Sequence, residues 1–225
     1  MKFVAIDFET ANTSELSICA VGIAVFENNQ LADTYYALIR PPKGYGWFRS
    51  DWITGCHGIS HTDVYNAPEF PTVAPEIFAR LSAADIVVAH NAKFDVRVLH
   101  STAVHFNLPC PAFEYLCTCQ LAKRVWPQLP DKQLSTVAAH IGHKFEHHRA
   151  LADAEAAGRI LLAMMAHKGI STPRDLAAAV GVPLRRLDTL GSLSTIFLFA
   201  WRIVLAEMVG IRSMPLPAGI FRSDE

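Results

Sequence analysis

Lys2-Phe3-Val4-Ala5-Ile6-Asp7-Phe8-Glu9-Thr10, directly after Met1, is the stretch that decides the fold. Its first half is an apolar run of the kind that forms a buried strand. Two acids close it, one residue apart. Residues i and i+2 of a strand project to the same side, so Asp7 and Glu9 leave the sheet together. Two such carboxylates repel unless a cation lies between them, and oxygen ligands of this kind suit Mg²⁺ or Mn²⁺. A solvated strand end would carry the same two charges, so this stretch needs the later acids to decide between the two.

Outward from the strand, the pattern is a meander followed by α/β alternation. Ser17–Phe26 is apolar almost throughout, as in a strand covered on both faces. Asn28-Asn29 is a turn signal, and Leu31–Ile39 returns as a third strand antiparallel to the second. A long irregular connection, 43–71, holds His57-Gly58-Ile59 and the aromatics Trp47, Phe48 and Trp52. These aromatics can stack on bases or simply anchor the loop. Thr72 is placed to cap a helix ending near Leu81, and Asp85–Ala89 is a short buried strand. Asn91 is placed to cap a helix from Ala92 to His105 whose first turn holds Asp95, beside the positive end of the dipole. Phe113–Cys117 is a further strand, followed by short helices over 118–126 and 134–141, the latter stopped by Gly142. Ala150–His167 is strongly helical. Thr172-Pro173-Arg174-Asp175 is a helix start with a capping Thr and Pro in the first turn.

Asp7, Glu9, Asp95 and Asp153 each stand at a strand end or helix start, where a mixed sheet gathers such ends. His148 precedes Asp153 by five residues, in the loop before the helix. Paired divalent ions about 3.5–4 Å apart would suit such a cluster, with the imidazole as the base for an attacking water. His140, His143 and His167 fall at positions that do not converge with these acids.

On these residues the chain resembles the DEDDh branch of the DnaQ-like 3′-to-5′ exonucleases, the group of the polymerase III epsilon subunit and ribonuclease T. D-x-E-T is met by Asp7, Glu9 and Thr10; H-N-x-x-F-D by His90, Asn91, Phe94 and Asp95; H-x-A-x-x-D-A by His148, Ala150, Asp153 and Ala154. His57-Gly58-Ile59 is similar to a family segment near the substrate. The resemblance implies an α/β, ribonuclease H-like fold. This is a five-stranded mixed sheet, its first three strands antiparallel, flanked by helices and followed by a helical C-terminal appendage. It also implies a nuclease domain over 1–168, an extension over 169–225, and two Mg²⁺ or Mn²⁺ ions held by Asp7, Glu9, Asp95 and Asp153. His148 would be the general base, and Thr10, His57, Asn91 and Phe94 would line the pocket for the terminal nucleotide. The implied activity is release of nucleoside 5′-monophosphates from the 3′ end of single-stranded nucleic acid, DNA first, in DNA repair. RNA-directed hydrolysis and a catalytically weak polymerase-associated subunit are the alternatives. Ala11-Asn12 replace the residues that usually follow the first motif in polymerase-associated members.

Composition agrees with a globular fold with a sizeable core. The chain has 225 residues, 51% hydrophobic and 18% charged, and a net charge of −1, which excludes a strongly basic DNA-coating protein. Five cysteines without a regular framework read as free thiols in a reducing cytosol, and no signal-peptide pattern opens the chain. Leu193–Ile211 is apolar but carries Arg202 and Glu207, and the uncharged run Thr189–Trp201 falls short of the ~20 residues of a membrane span. The expectation is self-association or docking on a protein partner.

Overall fold

The computed structural model describes residues 1–49 and 56–188. Trp52, the run Thr189–Trp201 and the apolar stretch Leu193–Ile211 lie outside them.

Six strands form one sheet in the order β3-β2-β1-β4-β5-β6. They are β1 (Lys2–Thr10), β2 (Ile18–Glu27), β3 (Gln30–Leu38), β4 (Ile86–Ala89), β5 (Phe113–Cys117) and β6 (Arg185–Leu187). β1, β2 and β3 pair antiparallel, while β4 joins β1 and β5 joins β4 in parallel. The expected five-strand count is corrected by β6, which runs antiparallel to β5 at the edge. Its three residues include exposed Arg185 and Arg186, so it has no apolar run to betray it. The β2–β3 turn puts both Asn28 and Asn29 at positive φ, 51° and 66°, the conformation of a tight hairpin.

Helices cover both faces. In chain order they are α1 (His61–Val64), α2 (Phe70–Ser82), α3 (Ala92–His105), α4 (Thr118–Val125), α5 (Leu134–His140), α6 (Ala150–Lys168) and α7 (Pro173–Val180). Strand parity sorts the core. Val4, Ile6 and Phe8 of β1 pack with α2 and α3. Phe3 and Ala5, on the face that also carries Asp7 and Glu9, pack with α4, α5, α6 and α7. Beyond Lys168, the expected end of the nuclease domain, Leu176, Ala177 and Val182 are still part of this second core. Thr172 caps α7 as expected, accepting a hydrogen bond from Asp175 N at 3.1 Å. The cap expected at Thr72 is overturned: α2 begins two residues earlier, with Phe70 buried at its start and Pro71 in the first turn. A proline there loses no intrahelical hydrogen bond, so the helix extends past the threonine.

Two glycines set how closely α6 lies on the sheet. Gly22 of β2 sits directly across the ladder from Asp7. A Cβ there would fall 2.1 Å from Ala150 C and 2.2 Å from Leu151 N. The start of α6 therefore rests on bare backbone beside the β1 acids. Further along, Gly158 faces Phe26, whose ring would lie 2.1 Å from an added Cβ. Phe26 in turn stacks on Phe3, centroids 4.8 Å apart.

Candidate active site

The close seat of α6 brings Asp153, in its first turn, to the two acids at the end of β1. Carboxylate oxygens of Asp7, Glu9 and Asp153 lie within 4.8 Å of one another. No lysine or arginine makes a salt bridge to any of the three among the described residues. Asp153 is 4% exposed, and its Oδ1 is buried without a hydrogen-bond partner. Its Oδ2 accepts the backbone N–H of His148 at 3.0 Å.

The electrostatic consequence is large. Burial pushes the Asp7 carboxyl well above its ordinary range, and the charges of Asp95, Glu9 and Asp153 push it further. Glu9 is raised to about 8, first by burial and then by Asp153. Asp153 is raised to about 7 by burial, partly offset by the His148 N–H. Asp95 stands beside this trio rather than in it. It is buried in the first turn of α3, and its Oδ1 accepts the backbone N–H of Phe8 at 3.1 Å. Burial raises it too, against that hydrogen bond. An orphaned buried oxygen and carboxylates crowded without a cation are what a hard divalent ion would resolve. The residues present therefore fit a divalent ion of the kind the sequence implies: Asp7, Glu9 and Asp153 are placed to hold one, and Asp95, also expected among the ligands, adjoins them.

His148 lies at the corner before α6 with φ +65°. That left-handed conformation costs a non-glycine residue about 1–3 kcal/mol. Here it turns the His148 N–H back onto Asp153. The preceding residue, His147, lies against His148 but outside the oxygen trio. The two rings stack, centroids 3.8 Å apart, and His147 Nε2 lies 3.9 Å from Asp153 Oδ2. Burial and the neighbouring His148 lower the His147 pKa. The remaining histidines stay apart as expected: His140 and His167 pack against Trp126, and His143 stacks on Phe145.

The residues assigned to the terminal-nucleotide pocket behave differently from one another. His57 is 3% exposed and has both ring nitrogens engaged. Nδ1 accepts from Ile59 N at 3.0 Å, so Nε2 carries the proton and donates to Thr10 O at 3.3 Å. Its pKa is lowered, chiefly by burial, so this imidazole is held neutral. It pins Thr10, where the β1–β2 register shifts. Asn91 occupies the position before α3, but in a left-handed conformation, φ 71°, and its side chain makes no capping bond. It is exposed and available to a ligand, whereas Phe94 is half-buried against the core. His90 is fixed between Thr118 Oγ1, at 2.9 Å, and Lys132 O, at 2.7 Å.

Asn12 is a further residue whose importance the motif concealed. It is buried, and its Nδ2 donates to Tyr45 O at 2.9 Å and Trp47 O at 2.8 Å, tying the loop after β3 to the end of β1. In that loop Phe48 anchors against Ile59 and Val64, while Trp47 is 54% exposed. With Arg40, Lys43, His61 and Tyr65 it lines a groove of about 690 Å³ that does not include the acids.

The chain belongs to the RNase_T exonuclease family, whose model matches residues 4–161. It is a nuclease by class. It is 30% identical over 167 residues to a DNA polymerase III PolC-type of Caldanaerobacter subterraneus, covering 73% of this chain and 12% of the relative. It is 28% identical over 168 residues to the 3′-5′ exonuclease DinG of Staphylococcus aureus, covering 71% of this chain and 18% of that protein. The chain thus spans a small part of these curated relatives. Among solved structures, Exonuclease X in complex with 5′ overhanging duplex DNA superposes with a TM-score of 0.63 at 24% identity, over 79% of this chain and 99% of that one. The nuclease domain of 3′hExo, a DEDDh family member bound to rAMP, superposes with a TM-score of 0.61 at 17% identity, over 84% and 97%. Both likenesses carry the fold. No helix of the described residues is long and apolar enough to cross a membrane.

Proposed function

We propose that this chain is a metal-dependent 3′-to-5′ exonuclease that removes nucleoside 5′-monophosphates from the 3′ end of single-stranded nucleic acid. The observation that carries this is the convergence of Asp7, Glu9 and Asp153 around an orphaned carboxylate oxygen, with Asp95 and His148 alongside. Two Mg²⁺ or Mn²⁺ ions held by these acids would supply charge stabilisation at the attacked phosphate and at the leaving oxygen.

The protein's own part is positional. His148, fixed by its turn onto Asp153, accepts the proton of the attacking water. Asp7 and Glu9 stand on a central strand that is paired to β2 at both acids and to β4 as far as Ala5, which holds the strand end in place. Thr10, His57, Asn91 and Phe94 border the terminal nucleotide, with His57 acting through the Thr10 carbonyl rather than by a free ring nitrogen. The groove with Trp47, Tyr65, Arg40 and Lys43 offers stacking faces and positive charge to the rest of the strand.

DNA is the favoured substrate, supported by the likeness to the DNA polymerase III PolC-type relatives. The cytosol and a DNA-repair setting go with this. We place the motif-bearing part within 1–168 and treat 169–225 as its extension, whose α7 and β6 complete the core and the sheet, with the apolar stretch beyond 193 as the place for self-association or a partner. The test is hydrolysis of matched 5′-end-labelled single-stranded DNA and RNA with Mg²⁺ or with EDTA. A ladder of shortening DNA in Mg²⁺ that chelation abolishes is expected. Immediate release of the label as a mononucleotide would mean the opposite polarity, and a ladder on RNA alone would make the enzyme an exoribonuclease.

A further inference from the structure

We propose that His147, His148 and Asp153 form a second cation site, selective for a borderline transition-metal ion such as Zn²⁺, whose occupation switches the nuclease off.

One donor atom from each of these three residues lies within 4.8 Å of the others. The donor set is two imidazoles and a carboxylate. That combination suits Zn²⁺, whereas Mg²⁺ takes oxygen almost exclusively. The site is built rather than incidental. His148 is held by its left-handed backbone and its N–H bond to Asp153. His147 is packed between the His148 ring and the Phe145 ring, whose centroid is 5.6 Å away. Of the two other histidines near the cleft, His57 and His90 each have both ring nitrogens committed.

Asp153 belongs to both donor sets, the oxygen-only trio with Asp7 and Glu9 and the mixed trio with the histidines. An ion in the mixed set takes Asp153 away from the other trio and takes the ring of His148 as well. Three protein ligands leave a fourth tetrahedral position for water or a phosphate oxygen. His147 contributes to the mixed set alone, so it can be removed without touching the oxygen trio. Inhibition rests on the nuclease function proposed above, but binding does not, so the two can be tested separately.

Binding is measured by calorimetric titration of Zn²⁺ into the full chain carrying Asp7→Asn and Glu9→Gln, in saturating Mg²⁺. Those changes disable the oxygen trio and leave the mixed set whole. The expected result is one Zn²⁺ per chain, weakened at least about tenfold, or lost, when His147→Gln is added. The activity arm compares Mg²⁺-supported turnover of the otherwise unaltered chain with that of His147→Gln and His147→Ala. Without Zn²⁺, turnover should agree within about twofold, since the ring takes no part in the reaction. The half-inhibiting Zn²⁺ concentration should rise by about tenfold or more in both variants. Thermal melts of both variants report their folding. Zn²⁺ affinity indifferent to His147, or equal inhibition of all three proteins, would overturn the site. A chain with no nuclease activity but His147-dependent Zn²⁺ binding would keep the site and refute the proposed function.

Discussion

Gly22→Ala is the substitution that most directly tests how the site is assembled. The added Cβ would lie 2.1 Å from Ala150 C, where ordinary contact begins near 3.4 Å, so backbone must move by about 1.3 Å. The obstructing atoms are main chain at the first turn of α6 and cannot rotate away. On the other side, Gly22 is paired to β1 and β3, with Asp7 and Tyr36 opposite it. The helix start is therefore the part that yields, and it carries Asp153 and the His148 corner with it. A misplacement of about 1 Å can cost ~10²-fold in rate, and overpacking costs about 1–3 kcal/mol of stability. For a chain of this size each kcal/mol lowers Tm by about 2–4 °C. Turnover on a 5′-labelled oligonucleotide, a Mn²⁺ titration and a thermal melt measure the three consequences: slower hydrolysis, weaker metal binding and a lower Tm. Gly158→Ala is the control. Its Cβ would meet the Phe26 ring, itself stacked on Phe3, further along α6 from the acids. It should cost comparable stability with a much smaller loss of turnover. Gly22→Ala with unchanged turnover and Tm would refute the claim that this contact sets the catalytic geometry.

Three other perturbations have definite expected outcomes. His148→Ala should lower turnover by about 10²–10⁴-fold while Mn²⁺ still binds, because the carboxylates remain; loss of metal as complete as in Asp7→Ala would show that the ring's main role is not proton transfer. In the metal-free protein, stability should fall as pH rises from about 4.5 toward 8. Glu9 is raised to about 8 and Asp153 to about 7, so the folded chain binds more protons than the unfolded one across that window. Melts in EDTA against melts in Mn²⁺ check this, and a metal-induced gain that does not grow with pH would contradict the crowding of the acids. A chain cut after residue 190 should fold and hydrolyse DNA, whereas one cut after 168 should be insoluble or strongly destabilised. It loses α7, β6 and the core residues Leu176, Ala177 and Val182. Soluble expression and melting curves distinguish them.

The acids at the end of β1 were legible because strand parity is a local rule. Asp7 and Glu9 had to share a side, and the alternation of Phe3 and Ala5 against Val4, Ile6 and Phe8 gave both core faces. Asp95, His148 and Asp153 were legible through their motifs and their places at helix starts. Contacts made only on packing were not. Gly22 is one small residue in an apolar run, and its meaning appears when α6 lies on it. His147 and His148 are indistinguishable by composition. That the two rings stack over Asp153 follows from the left-handed corner at His148, which no local pattern announces. Asn91 occupies the residue expected before α3, yet it tolerates positive φ without using its side chain as a cap. β6 carries two exposed arginines in three residues and is a strand only because β5 offers an open edge.

The same contacts that assemble the site also store its tension. α6 could seat at ordinary distance if β2 carried a side chain at position 22, and the acids would then stand further apart and titrate closer to their usual range. Instead the chain brings three carboxylates together, buries one oxygen without a partner, and holds His148 in a left-handed conformation. None of these choices stabilises the metal-free fold. The first two become favourable when positive charge arrives at the acids, since the repulsion turns into coordination and the orphaned oxygen gains a ligand. Stability and reactivity are thus linked through the same atoms. Neutralising Glu9 alone, as Glu9→Gln, removes one source of repulsion and one ligand together. It should therefore raise the melting temperature in EDTA and lower both metal affinity and turnover.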